Sequence, residues 1–436
     1  MLQIIALFAL LLVYLWRLFK TRRLSRFDHE PPIVVSLLPC VGAALELAYD
    51  SFKFTHKCWE KYGPSFRIPI KTGHVTVFCN EDGLRDVFRD KTRAFNVLTG
   101  HRLGLRLIGG IKEETQAVHL LDEHLNPLVA RAFSTTSGLE SIIPAFNEKL
   151  GKHIFDQVKE LGSSTRDVPV VSFVSEALYS SASTAVFGDL FPIDTYHDFM
   201  LLDEHFSRLM FPLPFFTRRV LQARGRLLNS ITSYVQSAWK NTHIEKGPPV
   251  ASEIVATLKA TDLSDLDQAG LILSFMWGMH ANTIRVATWL FMHLLNHRDS
   301  FDRVRTEIDS TINSIYGGDL KSFLETPYSS LRHDEFPLLD SAIKETLRLA
   351  VLFGNIREAH KDVEVEYGDG KRAYIPKGEL VLLNLGTYYR DEGVCRDGGD
   401  FRLDRFISGE GAPTFWPFGG GTHMVNESAH ETLSSN

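Results

Sequence analysis

The stretch at 271–295 constrains this chain most, because it has helical spacing and is apolar nearly all round. A helix with no polar face has no side to offer to water, so it is expected to be buried on every side. Burying it takes a surrounding shell, and 436 residues can supply a large core. Polar groups interrupt the helix at its middle, in Met279-His280-Ala281-Asn282-Thr283, where they are expensive. A Thr hydroxyl there can bond the carbonyl one turn back and bend the helix, opening a notch for water or a small ligand. A satisfied core Asn-Thr pair is the equally open reading for this helix taken alone. His280 reads as a helix-face histidine rather than a ligand.

Around this helix the chain reads as one mostly helical domain with small β-rich parts towards both ends. Residues 52–62 have helical spacing and end at Gly63-Pro64. Ser65-Phe66-Arg67-Ile68 and Val75-Thr76-Val77-Phe78 read as a hairpin about Gly73, and Asn80 reads as the cap of a helix at 81–89. Most of 117–295 is helical in period, broken at 162–164, 188–192, 212–214 and 247–249. Tyr374-Ile375 and the run 380–385 read as strands. The fold class expected is mainly α with small β-sheets.

At the N-terminus, 2–19 is apolar apart from Gln3 and Arg17, and Lys20, Arg22, Arg23 and Arg26 follow. About eighteen helical residues at ~1.5 Å rise span ~27 Å, enough for a bilayer core. The basic residues after the span orient the rest of the chain into the cytosol. The expected layout is a membrane anchor at 1–20, a basic, proline-rich hinge at 21–45, a main domain at 46–424 and an aberrant polar tail at 425–436. The net charge of −6, with no basic block outside the N-terminus, gives nucleic acid no foothold. The scattered Cys40, Cys58, Cys79 and Cys395 contain no C-x-x-C pair, so reduced thiols are expected, without a disulfide framework or zinc site.

Two further clusters carry information. Glu345 and Arg348 stand three apart in an amphipathic helix at 338–349, and Phe401-Arg402-Leu403-Asp404-Arg405-Phe406 follows at an interval. Arg405 can complete a Glu-Arg-Arg cluster, two planar guanidinium forks on one carboxylate, whose role is structural. Arg357, between them, is either a surface arginine or part of a site. Near the end, Phe415-Trp416-Pro417-Phe418-Gly419-Gly420-Gly421-Thr422-His423-Met424-Val425 runs from aromatics into glycines that let the backbone approach a flat ligand.

Taken in this order, anchor, proline hinge, long central helix, E-x-x-R, arginine motif and F-G-G-G-T-H-M, the chain resembles a cytochrome P-450. Ala281-Asn282-Thr283 is similar to the branch of sterol 7α- and 12α-hydroxylases and prostacyclin synthase, and F-G-G-G-x-H resembles many fungal members. The resemblance implies haem, electrons from an NADPH-dependent reductase, and an apolar substrate such as a sterol, a terpenoid or another lipid-like metabolite. It implies a single-pass location in the endoplasmic reticulum membrane with the catalytic domain cytosolic, and a place in specialised or lipid metabolism. By the same resemblance, Thr283 with Asn282 beside it would deliver protons to dioxygen. Arg357 and His423 would meet the haem propionates, Phe418 and Gly421 would wrap the ligand loop, and Glu345, Arg348 and Arg405 would brace the core.

One position departs from the family. Where the family has the cysteine that bonds iron, this chain has Val425, which has no lone pair to give. The family also continues well past that cysteine, whereas the residues here after Val425 are polar with one large apolar side chain, so truncation is expected. An unspliced intron after Met424 accounts for this, since every valine codon begins with the dinucleotide that opens most introns; a frameshift or pseudogene is the competing account. The expected function is therefore a membrane-bound haem-thiolate monooxygenase by family, inactive as it stands. The alternatives are a non-catalytic membrane-anchored relic binding a lipid or a partner, and a haem peroxide isomerase.

Overall fold

In the computed structural model the described residues are 30–35, 43–70, 73–210, 214–240, 248–331, 333–352, 354–408 and 412–420. The anchor expected at 1–20, part of the hinge at 21–45 and the tail at 425–436 lie outside them. The chain forms two compact units, each built from separated segments. One takes residues up to Gly100, then Leu347–Phe401 and Ser408–Met424; the other takes His101–Thr346 and Arg402–Ile407 with residues 425–436.

The first unit holds the strands: β1 (Ser65–Ile70), β2 (Gly73–Phe78), β3 (Phe95–Asn96), β4 (Asn355–Ala359), β5 (Val363–Glu366), β6 (Arg372–Ile375) and β7 (Leu380–Leu383). The expected hairpin is present, with β1 antiparallel to β2 and Ser65 opposite Phe78. The main sheet runs β1-β2-β7-β4-β3, with β2 and β7 parallel and the other neighbours antiparallel, while β5 and β6 pair separately. Phe78, Val381 and Leu383 of the sheet pack in one cluster with Leu84, Val87 and Phe88 of the helix Glu81–Arg89. Each such side chain, fully buried, contributes about 2 kcal/mol of transfer free energy.

Two local expectations are corrected here. Asn80 makes no side-chain cap; its amide instead donates to the Tyr367 carbonyl at 2.6 Å and ties down the β5–β6 turn. The strand expected over 380–385 stops at Leu383, because Asn384 accepts from the Thr387 amide at 3.0 Å and starts the helical turn Leu385–Tyr388.

The second unit is helical. Its longest helices are Thr136–Leu161, Val170–Phe187, Pro214–Lys240, the central helix Asp265–Asn296 and Arg298–Ile315, with Tyr196–His205 between the second and third. They stop or start at the breaks read from the sequence, for example at Leu161 before Gly162, whose φ is +57°. The central helix begins earlier than its apolar run, because the Ser264 hydroxyl caps it, accepting from the Asp267 amide at 3.2 Å. Asp265 and Asp267 in the first turn suit the helix dipole.

The expectation that this helix is buried on every side holds only for its first part. Residues 267–273 are buried without a break, and at Gly270 the backbone of Gly109 comes so close that a Cβ would meet its carbonyl oxygen at 2.5 Å. Beyond Leu273 the burial becomes periodic. Met276, His280, Ala281, Ile284 and Thr288 are buried, while Gly278, Asn282, Thr283 and Arg285 are exposed, as are Trp289 and Leu295. Among the described residues one helix, Val170–Phe187, is long and apolar enough to cross a membrane; half of it is buried, and it packs against Thr136–Leu161 and the central helix.

Candidate active site

The helix Pro337–Ala350 carries the brace. In the second unit Glu345 is wholly buried and accepts from Arg405 Nε at 3.0 Å on each carboxylate oxygen, and from the Arg402 amide at 3.0 Å. Ser341, one turn earlier, donates to the Leu403 carbonyl at 2.5 Å and accepts from the Phe406 amide at 3.1 Å. This short helix therefore fixes the whole 402–406 segment. Two buried ions tolerate such a place only because their remaining hydrogen-bonding sites are filled.

Arg348, in the first unit, is buried completely and directs its guanidinium at backbone. Nη1 donates to the carbonyls of Tyr389 at 2.8 Å and Gly398 at 2.6 Å, and Nη2 to that of Asp400 at 3.1 Å. Arg390 works in the same way on Leu349, Val351 and Gly386, and burial lowers its pKa to about 10, with the Arg348 charge adding to the effect.

The approach to the glycine-rich bend is held in the first unit. Trp416 donates its backbone N–H to the Tyr389 hydroxyl at 2.7 Å, and its ring packs on Phe88 and Tyr388 at centroid distances of 5.5 and 5.8 Å. Thr414 donates to Glu81 at 2.8 Å. Gly419 sits at φ +84°, and a Cβ on Gly420 would stand 2.9 Å from the Phe88 ring, so this bend needs both glycines. Phe418 is 45% exposed beside them. The carbonyl and hydroxyl of Tyr389 thus join Arg348 to the bend. The sequence reading missed this residue, because Tyr388-Tyr389-Arg390 carries no spacing signal.

Arg357 lies on β4, only 7% exposed, and its Nη1 donates to the neighbouring Ile356 carbonyl at 3.2 Å. Burial lowers its pKa, opposed by the charge of Asp90. Among the described residues no carboxylate stands within ion-pair distance of it. The surface reading of Arg357 is thereby corrected: it is a buried cation without a carboxylate partner among the described residues.

On the central helix, the Thr283 hydroxyl donates to the Met279 carbonyl at 2.8 Å, as the sequence suggested. Asn282 and Thr283 are both exposed, so the reading as a satisfied core pair is corrected. His280, read as a helix-face histidine, stands on the buried face of the helix. It is 1% exposed, with Nε2 2.9 Å from Ser183 Oγ and its ring packed on Tyr179 and Phe199. Burial lowers its pKa to about 3, so it is neutral. Gly421, His423 and Val425 lie outside the described residues.

Residues 31–424 match the cytochrome P450 family, and the chain belongs to it. Cytochrome P450 7B1 of Mus musculus is 23% identical, covering 92% of this chain and 79% of that protein. Lanosterol 14-alpha demethylase of Cunninghamella elegans is 23% identical, covering 91% and 81%. Prostacyclin synthase of Bos taurus is 24% identical, covering 89% and 78%. Among solved structures, retinoic acid-bound cyanobacterial CYP120A1 matches with a TM-score of 0.68 at 21% identity, covering 91% of this chain and 87% of that one, a likeness of fold.

Membership implies haem iron, an apolar substrate and electrons from a reductase. Arg357, buried and without a carboxylate partner among the described residues, is the kind of cation that an acidic edge of that group would satisfy. The described thiols, Cys58, Cys79 and Cys395, are all buried inside the first unit. Burial pushes the Cys58 thiol up to about 11 and the Cys79 thiol higher, so both hold their protons.

Proposed function

We propose that this chain carries the scaffold of a membrane-bound haem-thiolate monooxygenase for an apolar, sterol- or lipid-like metabolite, and that Val425 leaves it inactive. The observation that carries the reading is the similarity along about nine-tenths of the chain to proteins named as a cholesterol 7-alpha-monooxygenase and a lanosterol 14-alpha demethylase. In this reading residues 46–424 are the catalytic domain, anchored through 1–20 to the endoplasmic reticulum and supplied by an NADPH-dependent reductase. Bound haem would supply the oxidising chemistry. The protein residues do the rest: Arg357 and His423 take the propionates, and Phe418 and Gly421 wrap the ligand loop. Glu345, Arg348 and Arg405 keep the core rigid. Thr283 and Asn282, exposed on the central helix, hold and pass protons.

The test is the carbon monoxide difference spectrum of the purified protein and of Val425→Cys after haem loading. The native chain is expected to give no thiolate-type band, and the variant to give one. A thiolate-type band from the native chain would overturn the inactive reading. A loaded Val425→Cys protein that, with reductase, oxidises nothing in a panel of sterols, terpenoids and fatty acids would overturn the substrate class. The likeness to prostacyclin synthases favours one second reading, rearrangement of a peroxide without reductase. Turnover of a lipid peroxide by the loaded variant, with no reductase-driven oxidation, would select it. A proton-handling Thr283 fits monooxygenation better, because a rearrangement needs no proton relay.

A further inference from the structure

The central helix meets its neighbours in the second unit mostly through apolar side chains, and apolar contact has no preferred direction. Shape resists a turn of the helix where Gly270 meets the Gly109 backbone, and directional bonds can add to that farther along. In its second half three polar side chains make directional bonds to neighbouring helices, beside Asp265 and Asp267 in the first turn, which accept from Gln236 at 2.7 Å and from the Lys112 amide at 3.0 Å. His280 meets Ser183 of Val170–Phe187 at 2.9 Å. Trp277 Nε1 donates to Asp203 of Tyr196–His205 at 2.9 Å, and Arg285 Nη2 donates to the other oxygen of the same carboxylate at 2.7 Å. Asp203 is buried, so losing either donor leaves its charge poorly compensated. At ~100° per residue, Trp277, His280 and Arg285 fall within an arc of ~140°, and the centre of that arc lies ~180° from the midpoint of Asn282 and Thr283.

We infer that His280 and Asp203 are positioning residues: the clamps Ser183–His280 and Asp203–Trp277/Arg285 set the rotation of the central helix and thereby keep Asn282 and Thr283 on its open face. A turn of one residue, ~100°, would carry Thr283 away from that face and bring a buried apolar neighbour towards it. The inference rests on the reading of Thr283 and Asn282 as the proton-handling pair, but it concerns only where they point. Its test is therefore independent of oxidation.

The test compares thiol labelling, read peptide by peptide by mass spectrometry, at Thr283→Cys and at Ile284→Cys. With both clamps intact, Thr283→Cys is expected to label at least ~10-fold faster than Ile284→Cys, as an exposed site against a buried one. Adding His280→Leu with Asp203→Asn should shrink that ratio to ~3-fold or less, while His280→Gln, which keeps a partner for Ser183, should preserve it. An unchanged ratio in a double variant with native circular dichroism would overturn the inference. If the double variant does not fold, His280→Leu and Asp203→Asn are read singly; a fall in either supports the clamps, and no fall in both overturns them.

Discussion

Two helices of this protein carry polar residues in apolar surroundings and treat them in opposite ways. On Pro337–Ala350, Glu345 is sealed from water and its carboxylate oxygens are taken by Arg405 and the Arg402 amide. On Asp265–Asn296, Asn282 and Thr283 stand exposed, with the Thr283 hydroxyl occupied only by its own helix. A buried polar group with its bonding sites filled can do nothing but hold the structure. An exposed one costs the fold little and stays available for chemistry. The proposed proton-handling pair is thus of the kind the fold leaves exposed, and the brace of the kind it uses up.

The largest effects should come from the sealed group. Glu345→Gln leaves the Arg405 charge buried without its counter-ion and should cost about 3–5 kcal/mol in denaturant unfolding. Arg348→Leu strands the buried carbonyls of Tyr389 and Gly398 and a partly buried one at Asp400, and should cost about 3 kcal/mol by the same measurement. A loss below ~1 kcal/mol in both would erase the contrast.

Next in size is the pH dependence set by His280. Its pKa is about 3 when folded, against 6.5 unperturbed, so between these values the unfolded chain binds the proton and the folded chain does not. Stability should therefore be flat above pH ~6.5 and fall below it by up to ~1.4 kcal/mol per unit. His280→Gln should remove that part of the slope; an unaltered profile would show that His280 is protonated in the folded state.

Smaller again is Tyr389→Phe, which removes the acceptor of the Trp416 amide and should cost ~1 kcal/mol. The variant should exchange its Trp416 amide faster, while amides in the central helix keep their rates. The smallest effect should be that of Thr283→Ala, within ~0.5 kcal/mol of the native chain, because an exposed helical Thr returns little when replaced.

Much of the brace could be read ahead of the structure. Glu345 and Arg348 share a helical face at a fixed spacing, and Arg405 sits in a motif of its own, so local pattern was enough. The hairpin and the helix breaks were readable for the same reason. The burial of the central helix was over-read, because composition reports how apolar a helix is but not which side its neighbours cover. The partner of His280 could not be read from local pattern, because Ser183 lies nearly a hundred residues away. Asn80 was read from its local sequence as a cap, yet Tyr367 won its amide across a long separation. Tyr389 was missed for the same reason, since its bonds to Arg348 and Trp416 leave no periodic trace.

The measurement that bears most directly on the contrast is the unfolding free energy of Glu345→Gln and Thr283→Ala, taken side by side in the same chain. The account predicts losses of about 3 kcal/mol or more for the first and under ~0.5 kcal/mol for the second. Equal losses would contradict it, because Thr283 would then be part of the structure and not a group held free for chemistry.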